Sequence, residues 1–224
     1  MTDKTDYTKK PLTLTEQVAR LKQRGLVFDD ESEAFSYLFN ISYYRLRAYT
    51  YPFQENGEDS EHNFTHKDVH FKDIIDLYCF DRRLRSLIFN AIEKIEVAVR
   101  TKIVQVYAES TGDSHLENWL HAISNLRNCC AHHSRVWNRR FMVSVTLPYN
   151  TLYPFIDRTA IGKIRTNKLF AALSCVAYIL DIISPGSDFK KNIKELLESD
   201  CRLLDIKDMG FPKFWQSLFV WYEE

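Results

Sequence analysis

Glycine and proline are scarce in this chain of 224 residues, six of each. These residues let a backbone turn sharply, so their scarcity excludes a fold of many short strands joined by tight turns. The few present punctuate the chain: Pro52 with Gly57, Gly112, Pro148 with Pro154, Pro185 with Gly186, and Gly210 with Pro212. Internal repeats, low-complexity tracts and apolar–polar alternation of strand length are also missing. The longest apolar run, Leu169 to Leu180, is too short to span a bilayer and ends at Asp181. The opening MTDKTDYTKK has no apolar signal core. Cysteines number five, at 79, 129, 130, 175 and 201. An odd count without framework spacing excludes a secreted disulfide scaffold. The expectation is a soluble, cytoplasmic protein in a reducing compartment, with no membrane partner.

Net charge is missing as well, 30 basic against 30 acidic residues, but the distribution is uneven. Between Asn118 and Leu180 the only acid is Asp157, against Arg127, Arg135, Arg139, Arg140, Arg158, Lys163, Arg165 and Lys168, a formal +7. The balancing acids lie in DDESE (29–33) and ENGEDSE (55–61). Local sign asymmetry matters more than the sum for drawing in a polyanion, so residues 118–168 are expected to form a basic RNA-binding face.

What is present is helical periodicity. Ile74, Leu77, Leu84, Ile88, Ala91, Ile95 and Ala98 recur at helical steps, predicting one long helix over about 68–108. Tyr78, Phe89, Ile92, Val99 and Ile103 lie on a neighbouring face, so this helix should be buried from two sides and act as a spine. Thr13-x-x-Glu16 predicts a capped helix ending at Gly25, and Asp30 to about Leu46 a second. Further helices are expected at about 115–140, 160–183, 187–199 and 212–222, with 146–153 as loop. The fold class is all-α, in a single domain of residues 1–224. An N-terminal helical lobe (1–57) packs on a helical core (68–140 and 160–199), and a C-terminal segment (200–224) follows. The aromatic cluster Tyr43, Tyr44, Tyr49, Tyr51 and Phe53 reads as helix packing in preference to a base-stacking platform.

The chemistry concentrates in residues 127–140, RNCCAHHSRVWNRR. A guanidinium offers a planar donor fork to phosphate, and an imidazole moves protons near neutral pH. On a continuous helix over 118–140, Asn128, His132, Arg135 and Arg139 would form one stripe, with Leu120, Ile123, Leu126 and Cys130 on the docking face. Arg127 and His132 would stand about 140° apart, so two copies related by a two-fold axis would be needed to surround one phosphate. Histidine could take the proton of a ribose 2′-hydroxyl and return one to the departing 5′-oxygen. Arg127 could hold the charge that develops on phosphorus, and Asn128 could orient the histidine or bind a phosphate oxygen. No carboxylate cluster in the segment is suited to Mg²⁺, and no metal or other cofactor is expected. Taken alone, Arg-x4-His is a common pattern. Zinc held by Cys129, Cys130, His132 and His133 is disfavoured, because adjacent residues on one helix point apart. A cysteine nucleophile lacks a third, orienting group.

Taken in order, KPLTLTEQVARLKQRGL, NISYYRLRAYTYPF, LYCFDRRLRSLIFNAIEKIEVAVRTKI, LRNCCAHHSRVWNRRF and MGFPKFW are spread over most of the chain, from Lys10 to Trp215. Together they resemble the AbiD/AbiF-type abortive-infection proteins, a family placed in the HEPN superfamily. The resemblance implies a HEPN-like helical bundle carrying an Arg-x(4–6)-His motif, extra N-terminal helices and a long central helix. It implies a dimeric, metal-independent endoribonuclease toxin of anti-phage defence, with Arg127, His132 and Asn128 catalytic. RNA would be gripped by His133, Arg135, Asn138, Arg139, Arg140, Lys163, Arg165 and Lys168. RNA is the implied partner, as substrate and as a regulatory non-coding RNA; DNA is not expected. The chain departs from the family pattern in one place. Several tens of residues fewer separate the long helix from the motif helix, where Val106-Tyr107 reaches Trp119 through AESTGDSHLEN. That puts substrate-channel walls or a lid in question more than the fold. The alternatives to a nuclease are a non-catalytic RNA-binding or sensor module and a helical dimerisation protein.

Overall fold

The structure, a computed structural model, describes residues 11–57, 60–66, 68–106, 114–151 and 154–222; for Arg100–Val106 and Ser114 it describes the backbone alone. Eight α-helices and short 3₁₀ turns make up its regular structure, with no strand or sheet among the described residues. The fold is all-α. The chain divides into two compact units, 1–78 and 79–224, with the boundary inside the long helix α4 (Phe71–Val106).

In the first unit, α1 (Leu14–Gln23) opens where the sequence predicts. Thr13 Oγ1 accepts the Glu16 N–H at 3.3 Å, and Glu16 Oε2 accepts the Thr13 N–H at 2.7 Å. This reciprocal box satisfies two of the donors that a helix start leaves unpaired. Gly25, at φ +96°, ends the helix. The expected second helix is split in two: α2 (Glu31–Ile41) and α3 (Tyr43–Thr50) meet at Ser42, held at φ +69°. Periodicity carried no sign of that break because a single left-handed residue leaves the apolar spacing nearly unchanged. Val18, Leu21, Leu38, Leu46, Tyr49 and Ile74 are buried in this unit, and Tyr49 meets Tyr78 edge-on at 5.5 Å.

The second unit is built around α7 (Leu169–Ile183), which is buried at every position from Leu169 to Leu180. A helix apolar on all sides needs neighbours on all sides. α5 (Ser114–Ala131) covers it through Trp119, whose ring meets Tyr178 at 5.5 Å and Phe155 at 5.2 Å. The C-terminal segment covers it elsewhere: Trp221 Nε1 donates to Ser174 Oγ at 2.9 Å, and Phe211 packs on Phe170 at 4.9 Å. Each such fully buried apolar side chain contributes roughly 1.5–3 kcal/mol. α6 (Arg158–Ile161) and α8 (Phe189–Leu197) complete the helices. The helices expected over 160–183 and 212–222 are shorter than predicted. Residues 162–168 are non-helical, and the C-terminal segment forms 3₁₀ turns at Trp215–Ser217 and Phe219–Trp221.

Residues 146–151 are loop, as expected, pinned to the start of α5 where Asn118 Oδ1 accepts the Thr146 N–H at 2.7 Å. The short connection between α4 and α5 falls largely at 107–113, outside the described residues. No helix among the described residues is long and apolar enough to cross a membrane.

Candidate active site at the end of α5

The predicted helix over 118–140 stops nine residues early, at Ala131. The N–H groups of His132, His133 and Ser134 bond the carbonyls of Asn128, Cys130 and Cys129 at 3.0, 3.0 and 2.8 Å, with His133 at φ +53°. This is a Schellman termination, with histidine in the left-handed position usually held by glycine. The stripe Asn128–His132–Arg135–Arg139 therefore does not exist. His132 caps the helix, and Arg135 and Arg139 belong to the loop beyond it.

Asp81 of α4 holds that loop. It is completely buried, its Oδ1 accepts the N–H groups of Val136 at 3.1 Å and Trp137 at 2.7 Å, and its Oδ2 pairs with Arg85 one turn on. A buried carboxylate is tolerated when charge and donors both meet it, and here they do. Asp81 was not among the expected functional residues, although the sequence carried a signal. Ile74, Leu77, Leu84 and Ile88 face the core at helical steps, and Asp81 stands at the core step between Leu77 and Leu84.

Arg127 is oriented by three neighbours. Its Nε lies 3.4 Å from Glu96 Oε1, its Nη1 3.4 Å from Asn128 Oδ1, and its guanidinium 5.8 Å from the centre of the Phe89 ring. The Asn128 side chain thus meets the arginine, while its backbone carbonyl takes the His132 N–H. Glu96 comes from α4, so the acid-free stretch in sequence is not acid-free in space. Arg127 remains 41% exposed, and a guanidinium carries five N–H donors, so the pair with Glu96 leaves donors over. The His132 and His133 rings are both exposed and uncommitted among the described residues.

The remaining basic residues divide. Arg140 and Lys163 are exposed, Lys163 lying over the Phe214 ring at 5.7 Å. Arg135 lies over Trp137 at 5.6 Å, Arg139 donates to the Arg135 carbonyl at 3.4 Å, and Arg165 donates to the carbonyl of Lys207. Lys168, expected to meet RNA, is buried instead. Its ammonium donates to Asn138 Oδ1 at 3.0 Å and to the Asp208 carbonyl at 2.8 Å, which also occupies Asn138. Burial, reinforced by the neighbouring charge of Arg165, lowers the pKa of Lys168; burial also raises that of Asp208. Gly210, at φ +92°, lies so close that a Cβ there would come within 2.6 Å of Lys168 Cβ, which accounts for the glycine in MGFPKFW.

Both motif cysteines are buried, and burial pushes the Cys130 thiol up to about 12, so it does not supply a thiolate near neutral pH. No group of three or more His, Cys, Asp or Glu side chains among the described residues is placed to hold a metal ion.

An all-α protein with an arginine and a histidine at one helix end is the class that this geometry defines. The family model described as Abi-like protein matches residues 36–116 and, in a second segment, residues 105–138, which carries Arg127 and His132. Over that stretch the chain is similar to the Abi-like protein family, a match that supports an Abi family protein and suggests abortive-infection defence. The two segments meet within 105–116, where the connection between α4 and α5 is short. Neither the curated proteins nor the solved structures gave a match.

Proposed function

We propose that this chain is a metal-independent endoribonuclease of abortive infection, a HEPN-type toxin acting as a homodimer in the cytoplasm. One observation carries the reading: at the end of α5 a positioned guanidinium and an uncommitted imidazole both remain open to solvent. His132 takes the proton of a ribose 2′-hydroxyl, the 2′-oxygen attacks phosphorus, and the bond to the 5′-oxygen breaks. The second subunit's copy of the histidine returns a proton to the departing oxygen. Arg127 stabilises the negative charge gathering on the phosphoryl oxygens, and Glu96 with Asn128 keeps it in position. Arg135, Arg139, Arg140, Lys163 and Arg165 grip the backbone, with His133 beside the scissile phosphate. A dimeric site is supported by apolar surface left next to this group. Phe89 and Glu96, seven residues apart, share a face of α4, and Val97 beside them is 60% exposed.

Purified protein incubated with total RNA in EDTA tests this. The wild type is expected to degrade it. Arg127→Ala should be slower by about 10²–10³-fold, the loss typical of removing one positioned donor to a developing oxyanion. Arg127→Lys should recover little, because an ammonium lacks the planar fork. Equal degradation by wild type and Arg127→Ala would remove the arginine from the mechanism.

A further inference from the structure

The first unit contains a cleft of about 660 Å³ that nothing above uses. The end of α1 contributes Arg20 and Arg24 to it, α3 contributes Tyr43 and Arg47, and the segment at 60–63 contributes His62. Arg20 and Arg24 are one helical turn apart, as are Tyr43 and Arg47, so each pair shares a helix face. Arg24 Nη1 donates to the Tyr43 hydroxyl at 2.8 Å and ties the two faces together. Three guanidinium groups are thereby gathered around one bond, none more than a turn away from it.

Like charges one turn apart on a helix repel, and a carboxylate in the next turn is the usual remedy. That remedy is missing here. Glu16, one turn before Arg20, directs its Oε2 back to the N–H and hydroxyl of Thr13. The exposed Glu61 is an acid on the cleft wall, yet among the described residues none of the three arginines makes an ion pair. Neutral groups hold two of them instead. Tyr43 takes one donor of Arg24, and Arg47 Nη2 lies 3.1 Å from His62 Nε2. A guanidinium can only donate, so Nε2 accepts, and His62 Nδ1 donates to the Glu55 carbonyl at 3.1 Å. Two of the forks are fixed in direction while keeping their charge and most of their five donors, an arrangement suited to phosphoryl oxygens.

The room available exceeds what a bare phosphate fills, since the volume lies within the roughly 300–1,000 Å³ of small-molecule sites. Arginines border it from two helices, and a chain of linked phosphoryl groups presents anionic oxygens along its length to all three. Ser42 and His62 on the same wall are held at φ +69° and +60°. Such strain persists where the surrounding structure enforces it, and it clusters at ligand sites.

We propose that this cleft binds an oligophosphate, its linked phosphoryl groups held by Arg20, Arg24 and Arg47. The chain of phosphates is either free, as an inorganic or nucleotide triphosphate, or the 5′-triphosphate end of an RNA. The inference stands apart from the nuclease reading, since none of its residues lies on α5.

Calorimetric titration of the full chain in EDTA with inorganic triphosphate and with inorganic phosphate tests it. Triphosphate is expected to bind at least tenfold more tightly than phosphate. Arg20→Ala changes an exposed side chain, and Arg47→Gln keeps an amide donor for His62, so circular dichroism should be unaltered in both. Each should weaken triphosphate at least tenfold. Lys191→Ala, which removes an exposed cation of α8, should leave its binding unchanged. A 2′-O-methylated hexaribonucleotide, which 2′-oxygen attack cannot cut, is then compared with a 5′-triphosphate and with a 5′-hydroxyl. A tenfold gain from the triphosphate that disappears in Arg20→Ala assigns the cleft to an RNA end; no gain assigns it to a free oligophosphate. Phosphate binding as tightly as triphosphate would overturn the proposal. So would no binding of triphosphate at millimolar concentration, wild-type affinity in both arginine variants, or an equal loss in Lys191→Ala. His132→Ala should bind triphosphate as the wild type does, so failure of the nuclease reading and failure of this one are separately visible.

Discussion

Replacing His132 by alanine is expected to lower the rate of RNA cleavage by about 10³–10⁴-fold, near the upper limit for removing a general acid–base. The structure makes this substitution clean. His132 caps α5 with its ring exposed and uncommitted, so the backbone bond from its N–H to the Asn128 carbonyl survives the change. The adjacent histidine is the control. His133 occupies the left-handed position of the helix termination, where asparagine is tolerated and alanine is strained. His133→Asn should therefore keep activity within a few fold. A gel assay on a defined oligoribonucleotide separates the two outcomes, and a large loss in His133→Asn with little in His132→Ala would reverse the assignment.

Replacing Asp81 by alanine should destabilise the second unit by about 3–5 kcal/mol, the usual cost of removing one partner of a buried ion pair. Two losses combine. Arg85, itself buried, loses the carboxylate it pairs with, and the N–H groups of Val136 and Trp137 lose their acceptor. The double variant Asp81→Ala/Arg85→Ala should be less destabilised than the two single effects together, because it removes both members of the pair. It should still fall below wild type, since the two backbone donors remain unmet. Urea denaturation of the four proteins measures this. Strict additivity would show that Asp81 and Arg85 do not act as a pair.

Much of the helical framework was legible in the sequence, for a physical reason. α4 was placed within a few residues because its buried side chains recur over many turns, and α1 because Thr13 and Glu16 form a local box. What escaped notice rests on single residues or on distant pairs. Ser42 and His133 stop helices by adopting left-handed backbone, which side-chain spacing does not record. Lys168 looked like a free cation in a basic run, but Asn138 and the Asp208 carbonyl, 30 and 40 residues away, enclose its ammonium. Glu96 was invisible as a partner of Arg127, because only the packing of α4 against α5 brings them together. Asp81 was the exception, a charge at a core-facing step whose spacing already marked it.

The aromatic cluster of the first unit divides in the same way. Tyr43 and Tyr44 were expected to pack between helices. Tyr43 does engage Arg24 and Tyr44 meets the Tyr43 ring, but Tyr44 stays largely in solvent. Tyr49, six residues on from Tyr43, is buried as expected. Composition gave the three the same weight, and only burial separates them.

The chemical nature of the cut ends tests the central claim most directly. An oligoribonucleotide cleaved in EDTA should yield, by mass spectrometry, a 2′,3′-cyclic phosphate on one fragment and a 5′-hydroxyl on the other. A 2′-deoxy substitution at the scissile nucleotide should stop cleavage there. Products ending in 5′-phosphate, or cleavage that continues at the 2′-deoxy position, would contradict attack by the 2′-oxygen and the roles given to Arg127 and His132.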